Sequence, residues 1–430
     1  MAALHCVDGT SAGEVVDLGV AAVKISTTPE VLVEAGISML RTQTGYGYPP
    51  VLGLEWVRKA VAAELSASEG VEVGYQRVAL VLGGRAGTNA VICHVLDQYP
   101  GGTVMGPRLS WPQYAEQTVR CKGVFLRVHG TEESFYGPLA ADFEKAYHPD
   151  CRLLIVCNPG NPVGNSYSSE QLRDILLLAR SKGLYVLLDE TYHDFVFTGS
   201  HHSAFRSISL LSSTGSSPAP TGSSAESSTE SSTESSTESS IGSLNEWMFE
   251  RFSLVRTLGK SFQCPGARGG TLLAPLPIIQ DLAARMAEAS HAVPLVTQAM
   301  IGAAATWQHD AQEAYFEGLR AVLRANIALV SQWVSARQPL VRPYTQQPAP
   351  ASPLVFLDVS PLCAKHGIDS AELVKRLAAK GLKTVAGDTS GDPNGLRLAI
   401  GHPTPVIERG LAIFASLIDE LEGKPNHQNA

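Results

Sequence analysis

The sequence predicts an α/β protein with two domains, and three observations lead to that prediction. The chain has 430 residues, 44% of them apolar, which is enough for a large buried core divided between domains. The apolar run Arg77–Leu82 leads through a glycine-rich turn into a helical pattern that ends near Leu96. The run Leu153–Cys157 is likewise followed by a helical pattern at Ser169–Ser181 and by a strand at Tyr185–Leu188.

The charge and the cysteines restrict the classes of function. The net charge of −8 and the lack of any Lys/Arg run argue against a nucleic-acid partner, because phosphate backbones require a concentrated basic face. The seven cysteines have no Cys-x-x-Cys spacing, so neither a disulfide framework nor a metal site is indicated. A reducing compartment is the simplest inference. The sequence shows neither a secretory signal pattern nor a membrane-spanning apolar run, and we therefore expect a cytoplasmic protein without a membrane partner.

The stretch Thr257–Gly270 contains the most reactive combination of residues. Lys260 follows the apolar-rich run Phe252–Val255, and desolvation in such a setting lowers the pKa of a lysine, which leaves a nucleophilic amine able to form a Schiff base. The hydroxyl of Thr257 and the guanidinium of Arg268 are suited to a phosphate. The stretch therefore suggests a carbonyl cofactor that carries a phosphate. The alternative is a glycine-rich surface turn with a solvated lysine.

This stretch resembles the Schiff-base lysine motif of fold-type I pyridoxal-phosphate (PLP) enzymes, in particular the class I/II aminotransferases. Their pattern is Ser-x-x-Lys-x4-Pro-Gly-x-Arg-x-Gly, and Thr257 replaces the serine. A second stretch, Asn158–Gly164, reads Asn-Pro-Gly-Asn-Pro-Val-Gly and nearly completes the family form Asn-Pro-x-Asn-Pro-Thr/Val-Gly. Matches to the family's cofactor-contact motifs follow in order from about residue 15 to residue 420.

The resemblance implies the architecture of fold type I. We expect a large domain with a mainly parallel seven-stranded sheet and a smaller α/β domain built from both termini. On this basis residues 1–45 form an N-terminal arm and part of the small domain. Residues 46–300 form the PLP-binding domain, and residues 301–430 form the rest of the small domain.

The resemblance also assigns the residues that hold the cofactor ring. Asp189 matches the aspartate that pairs with the protonated pyridine nitrogen, and it follows a buried strand, where α/β sheets place ligands. Asn161 and Tyr192 match the residues that face the ring oxygen. Trp111 is our candidate for stacking on the ring, because an indole offers a π-surface. A core tryptophan is the alternative for Trp111, and the neighbouring Glu190 is expected to be solvated or structural.

The cofactor phosphate has three expected anchors in this chain. The turn at Ala86, Gly87 and Thr88 opens a helix, whose first N–H groups and dipole favour an anion, although many such turns are structural only. Thr257 and Arg268 supply a hydroxyl and a cation. In relatives, a tyrosine at the position of Tyr48 reaches the phosphate of the partner subunit, which implies a homodimer. An aromatic turn packed on the core is the alternative for Tyr48.

The substrate carboxylate is assigned to Arg397 by the same resemblance. A guanidinium fork matches two carboxylate oxygens, and Asn161 is expected to assist in substrate binding. A surface arginine is the alternative for Arg397. Near the N-terminus Ala21 stands where the family has a glycine. Either the substrate pocket is narrower or the alignment is shifted by one residue.

Further elements follow from periodicity and composition. We expect helices over Ile278–Ala305, with a break at Pro294, and over Asp310–Ser335, and a helix over Ser370–Lys380 with Ser370 as its cap. Residues 207–243 are mostly Ser, Thr, Pro, Gly and Glu, which predicts a disordered surface insertion. Its Ser-Ser-Thr-Glu repeats are either phosphorylation sites or low-complexity drift.

The resemblance implies a PLP-dependent aminotransferase that exchanges an amino group between an amino acid and a 2-oxo acid by a ping-pong mechanism. Catalysis is assigned to Lys260, Asp189 and Tyr192. A lyase or decarboxylase of the same fold is the main alternative, because cofactor contacts do not determine which bond breaks. A PLP-sensing regulator is a second alternative, against which we note that no DNA-binding domain precedes residue 15. The amino-acid substrate does not follow from the sequence.

Overall fold

The computed structural model describes residues 15–42, 47–209 and 244–424. These residues form two compact units. Of the described residues, those within Ser26–Arg320 and Ala349–Ser352 form the large unit, and those within Met1–Ile25, Ala321–Pro348 and Pro353–Ala430 form the small unit. No helix among the described residues is long and apolar enough to cross a membrane.

A seven-stranded sheet forms the centre of the large unit, as predicted. Its strands are β2 (Val78–Val81), β3 (Thr103–Pro107), β4 (Val124–Val128), β5 (Cys151–Cys157), β6 (Tyr185–Asp189), β7 (Phe252–Thr257) and β8 (Gly270–Leu273). Their order is β2-β8-β7-β6-β5-β3-β4. Strand β8 runs antiparallel to both of its neighbours, and the other pairs are parallel. Strands β2 and β6 are buried along their whole length, as expected for a sheet covered on both faces.

Helices cover this sheet. They are α1 (Glu30–Thr42), α2 (Glu55–Glu69), α3 (Gly84–Gln98), α4 (Gln113–Arg120), α5 (Ala140–Ala146), α6 (Ser169–Ser181), α7 (Ala204–Ser209), α8 (244–251), α9 (Leu258–Ser261), α10 (Leu276–Ala289), α11 (Leu295–Thr306) and the first part of α12 (His309–Ser335). Helix α6 has the predicted bounds because Ser168 accepts a hydrogen bond from the Gln171 N–H in a capping box. Pro294 separates α10 from α11, as expected.

The small unit contains two sheets. Strands β9 (Arg342–Pro343), β10 (Leu354–Asp358), β12 (Val385–Ala386) and β13 (Gly395–Ala399) form an antiparallel sheet, and β1 (Val16–Asp17) pairs in parallel with β11 (Leu382–Lys383). The remaining helices are α13 (Ser360–His366), α14 (Ser370–Ala379) and α15 (Thr404–Leu421). The predicted cap of α14 was wrong by one residue. Asp369 caps the helix, because its carboxylate accepts the Glu372 N–H at 2.7 Å.

The compact units divide the chain at different positions from the predicted domains. Helix α1 packs along α11 and therefore belongs to the large unit, although residues 1–45 were assigned to the arm and small domain. The first part of α12, up to Arg320, belongs to the large unit as well. The predicted insertion began at residue 207, but Ser207 lies within helix α7. Residues 208 and 209 also belong to α7. The rest of the predicted insertion, residues 210–243, lies outside the described residues.

Cys93 and Cys121 form a disulfide, which the cysteine spacing did not indicate. Cys93 lies on α3, and Cys121 is the residue at which α4 ends. Their Cα atoms are 5.3 Å apart, within the usual range for a bridge. No short-range spacing in the sequence indicates this pair, because the packing of α4 on α3 brings the two residues together. Cys151, Cys157, Cys264 and Cys363 are free.

A buried ion cluster joins β6, β7 and α2. The Arg256 guanidinium donates to Glu190 at 2.8 Å, to Glu69 at 3.0 Å and to Glu64 at 3.1 Å. The side chains of Glu69 and Glu190 are fully buried. Burial acts to raise the pKa of Glu190, but His201 and Arg256 outweigh it and hold that pKa below its usual range. Of the two roles expected for Glu190, solvated or structural, its burial and its ion pairs support the structural one.

We predict that Arg256→Met destabilises the fold, because it leaves Glu190 and Glu69 buried without their counter-charge. The free energy of unfolding, measured by urea denaturation, should fall by about 3–5 kcal/mol. Lys59→Met is the control, because Lys59 pairs with Glu55 on the exposed face of α2, and its denaturation midpoint should hardly change. Equal effects of the two substitutions would contradict the importance of the cluster.

Candidate active site

Three predicted cofactor residues follow neighbouring parallel strands. Asn161 comes after β5, Asp189 ends β6, and Lys260 lies on α9 directly after β7. The register places Cys157 opposite Asp189 and Asp189 opposite Val255, and the Asn158 N–H donates to the Asp189 carbonyl at 2.9 Å. Because carboxyl ends of parallel strands meet at one edge of the sheet, these three residues lie at the same edge.

The Asp189 carboxylate is buried and fixed by donors from two elements. Tyr114 Oη on α4 donates to Oδ2 at 2.6 Å. The Thr191 hydroxyl and N–H donate to Oδ1 at 2.6 and 3.0 Å. Burial raises the pKa of Asp189, and the hydrogen bonds from Thr191 and Tyr114 oppose that shift. The neutral donors therefore fix the orientation of the carboxylate. No cationic side chain among the described residues pairs with it, so a cationic group of a ligand can serve as its counter-charge.

Tyr114 is a site residue that the sequence analysis did not identify. It is fully buried, and burial together with Asp189 raises its pKa well above the usual value, so it remains a donor. Its ring meets the edge of Trp111, with centroids 5.4 Å apart. The signal available in the sequence was its position three residues after Trp111, but nothing there indicates a hydrogen bond to Asp189, which lies 75 residues further along the chain.

The expected phosphate anchors lie together at the start of α3. Gly83, at φ 82°, is the N-cap residue and offers no side-chain cap to the start of α3, where an anion is favoured. Of the first four N–H groups, those of Ala86 and Gly87 donate to the Gly83 carbonyl at 3.1 and 3.4 Å. Arg268 Nη2 donates to the Leu82 carbonyl at 3.0 Å, and a Cβ on Gly83 would lie 2.9 Å from this nitrogen. Arg268 itself has φ 55°, a strained conformation for a non-glycine residue, and the Pro265 carbonyl accepts a further hydrogen bond from its Nη1 at 3.1 Å.

The other phosphate candidates make contacts within the protein. The Thr257 hydroxyl donates to the Gly269 carbonyl at 3.2 Å. The Thr88 hydroxyl lies 2.9 Å from Gln117 Oε1 and 3.1 Å from the Arg85 carbonyl. Thr88 is fully buried and is the fifth residue of α3, beyond the first four N–H groups that a helix leaves without an intrahelical partner.

The remaining predicted residues occupy different environments. Asn161 and Tyr192 are buried in the large unit, and Lys260 is half-buried. Tyr48 is 90% exposed, with its ring 4.9 Å from that of His291. Arg397 belongs to β13 of the small unit, where it is buried and donates from Nη2 to the Gly19 carbonyl at 2.7 Å.

A cavity of about 700 Å³ lies within the large unit, next to the Arg256 cluster. Its walls include Phe262, Trp307 and Phe316, and of the predicted cofactor contacts Thr257 alone lines it. Arg256 faces α2, whereas the preceding Val255 lies close to Gly87 of α3. Since successive strand residues point to opposite faces, this cavity and Asp189 lie on opposite faces of the sheet. The cavity is therefore separate from the predicted cofactor site.

The residues at the carboxyl edge fit PLP. Asp189 offers a buried carboxylate without a cationic partner among the described residues, which suits a protonated ring nitrogen. The open N-terminus of α3 and Arg268 supply donors and positive charge for a phosphate. Lys260 supplies an amine for a carbonyl carbon. The fold and this set of groups define a cofactor-dependent enzyme of the PLP type.

The sequence matches the aminotransferase class I and II family over residues 14–414. This span covers most of the chain, which therefore belongs to that family. The family uses PLP, in agreement with the donor set at the carboxyl edge.

Curated relatives match a shorter part of the chain. An aspartate aminotransferase of Streptomyces avermitilis is 31% identical over 170 residues, which cover 40% of this chain and 41% of that protein. A probable aspartate/prephenate aminotransferase of Rhizobium leguminosarum is 30% identical over 177 residues, covering 40% and 43%. The chain thus aligns with about two fifths of the length of these relatives.

Solved structures share the fold over nearly the whole chain. The aspartate aminotransferase from Thermus thermophilus with maleate gives a TM-score of 0.77 at 22% identity, covering 94% of this chain and 91% of that one. An aromatic aminotransferase from Pyrococcus horikoshii gives 0.76 at 19% identity, covering 95% and 96%. At these identities the similarity establishes fold type I and nothing further.

We predict that Tyr114→Phe shifts the pH dependence of the cofactor site. The hydrogen bond from Tyr114 lowers the pKa of Asp189, so its loss raises that pKa, and the acid limb of the cofactor absorbance titration moves to higher pH. A hydrogen bond to a charged group is worth about 1.5–3 kcal/mol, which corresponds to roughly one to two pH units.

Tyr185→Phe is the matched control for this experiment. Tyr185 lies at the start of β6, the strand that Asp189 ends, and none of the Asp189 hydrogen bonds comes from it. Its titration should coincide with that of the wild type. A similar shift in both variants would contradict the role of the Tyr114 hydroxyl.

Proposed function

We propose that this protein is a PLP-dependent aminotransferase that moves an amino group between an L-amino acid and a 2-oxo acid by a ping-pong mechanism. The observation that carries the proposal is the placement of Asn161, Asp189 and Lys260 after three adjacent parallel strands. Family membership over residues 14–414 supports it. The names of the curated relatives make aspartate and prephenate the first substrates to test.

The chain's own groups account for binding and proton transfer. When bound, PLP withdraws electrons from the Cα of the amino acid. Asp189, oriented by Tyr114 and Thr191, would hold the proton on the ring nitrogen. The Lys260 amine would accept the Cα proton as a general base, and Tyr192 would donate to the ring oxygen together with Asn161. The α3 N-terminus, Thr257 and Arg268 would keep the phosphate in place.

Arg397 is proposed to bind the substrate carboxylate. Its guanidinium is buried in β13 and is oriented by the Gly19 carbonyl. A planar fork held in this way suits a carboxylate better than a lysine ammonium does.

We also propose that the active form is a homodimer in the cytoplasm. The exposed ring of Tyr48 supports the dimer, because a side chain with 90% of its surface exposed is available to a second copy. Sedimentation equilibrium of the holoenzyme tests this assembly. Fractionation of the native cells tests the compartment.

The reaction class is tested by a single turnover. Amino acid alone should release one 2-oxo acid per site and then stop, because the amino group stays on the cofactor until a second oxo acid arrives. Lys260→Ala should lose this turnover, and Lys182→Ala, which removes a surface partner of Glu144, should keep it. Continuous release of ammonia, pyruvate or carbon dioxide from amino acid alone would identify a lyase or decarboxylase instead.

We predict that Arg397→Lys raises the KM of the amino acid and of the oxo acid together, by roughly tenfold or more, because both lose the same bidentate pair. The cofactor absorbance should not change. Arg342→Lys is the control, since Arg342 pairs with Asp358 in the same unit at an exposed position. A change for one substrate alone would contradict a shared carboxylate site.

A further inference from the structure

Helices α3 and α4 are joined by polar and covalent links along one seam. Near the start of α3, the Thr88 hydroxyl lies 2.9 Å from Gln117 Oε1, and Gln117 Nε2 donates to the Arg85 carbonyl at 3.0 Å. Further along both helices, Cys93 and Cys121 form the disulfide. Gln117 and Cys121, which directly follows α4, are four residues apart and therefore lie on the same side of that helix. We call this contact the α3–α4 seam.

Both helices of the seam position residues of the candidate cofactor site. Helix α3 begins at the turn expected to bind the phosphate. Helix α4 carries Tyr114, which donates to Asp189 at 2.6 Å. A shift of α4 along the seam would therefore change the donor to Asp189 and the contact of Gln117 with the phosphate turn at the same time.

The cysteines of the seam differ from most of the others in accessibility. Cys93 and Cys121 are half-buried, whereas Cys151, Cys157 and Cys363 are buried. A small thiol reagent therefore has a route to the pair that it lacks at the buried cysteines.

We propose that Cys93 and Cys121 form a thiol–disulfide redox site that controls how firmly the protein retains its cofactor. The proposal rests on the proposed PLP site. In the oxidised form the bridge fixes α4 to α3 and maintains the Tyr114–Asp189 hydrogen bond. In the reduced form only non-covalent contacts hold the seam, and the cofactor dissociates faster.

The redox step balances with a low-molecular-weight disulfide as oxidant. The thiolate of one cysteine attacks a sulfur of that disulfide, forming a mixed disulfide and releasing one small thiol. The second cysteine then attacks the protein sulfur of the mixed disulfide, closing the bridge and releasing the second small thiol. Two protein thiols are oxidised, and one external disulfide is reduced to two thiols. An excess of small thiol reverses both exchanges.

The test uses the full-length holoenzyme equilibrated in buffers of reduced and oxidised glutathione. Free thiols are alkylated and mapped by mass spectrometry, and cofactor dissociation is followed by fluorescence after dilution. Reduction should expose two further thiols, at Cys93 and Cys121, and raise the dissociation rate roughly tenfold, as expected for directly coupled elements. In the double variant Cys93→Ser/Cys121→Ser the cofactor should dissociate at the reduced rate in every buffer.

Cys363→Ser is the matched control, because it removes a thiol from the small unit and should keep the full response. An unchanged thiol count between the buffers would overturn the redox site. A changed count with equal dissociation rates would overturn its effect on the cofactor. If the double variant does not fold, the reduced and oxidised wild type supply the same comparison.

Failure of this proposal is distinguishable from failure of the proposed function. Borohydride reduction should attach the cofactor to Lys260, whatever the state of the cysteines. Attachment at Lys260, together with a cofactor dissociation rate that is the same in reduced and oxidised glutathione, would contradict the redox proposal alone. Attachment elsewhere would contradict the cofactor assignment, while the thiol count would still test the bridge.

Discussion

The alternation of side chains at the ends of β6 and β7 determines the arrangement of the site. Asp189 and Glu190 follow one another, yet Asp189 is bonded by Tyr114 of α4 and Glu190 by Arg256, which also binds α2. Successive residues of a strand point to opposite faces, so a slip of one residue would exchange the two carboxylates. The register that places Asp189 opposite Val255 therefore supports both the ion cluster and the cofactor site.

The two carboxylates show how neighbours determine the charge state of a buried acid. Both are fully shielded from water, which by itself raises a carboxyl pKa. Arg256 and His201 reverse this effect at Glu190, and its pKa is lowered. Asp189 has neutral donors only among the described residues, and its pKa stays raised. A cationic ring nitrogen would supply the missing counter-charge. In the free protein the burial of the Asp189 carboxylate is therefore energetically unfavourable, and cofactor binding would reduce that cost.

Local signals in the sequence predicted the elements well, and contacts between distant segments were not predictable in the same way. The capping residues around Ser168 and the apolar runs of β5 and β6 gave the bounds of α6 and the placement of Asp189. The Tyr114–Asp189 hydrogen bond and the Cys93–Cys121 disulfide depend on how α4 packs, and no residue spacing in the sequence indicates that packing. Serine and aspartate are both good N-cap residues, so the sequence does not distinguish Ser370 from Asp369. In the structure Asp369 has the extended backbone of an N-cap and accepts the Glu372 N–H.

Ala21, which stands where the family has a glycine, belongs to the small unit. The segment that carries it runs beside β13: the Ala399 N–H donates to the Leu18 carbonyl at 2.7 Å, and Arg397 donates to the Gly19 carbonyl at 2.7 Å. Ala21 is therefore only two residues after Gly19, whose carbonyl orients Arg397. A methyl group there, where the resemblance expects a glycine, adds bulk next to the segment that holds the proposed carboxylate-binding residue. Arg397 and Ala21 thus belong to the small unit, whereas the proposed acid–base groups Asp189 and Lys260 belong to the large unit.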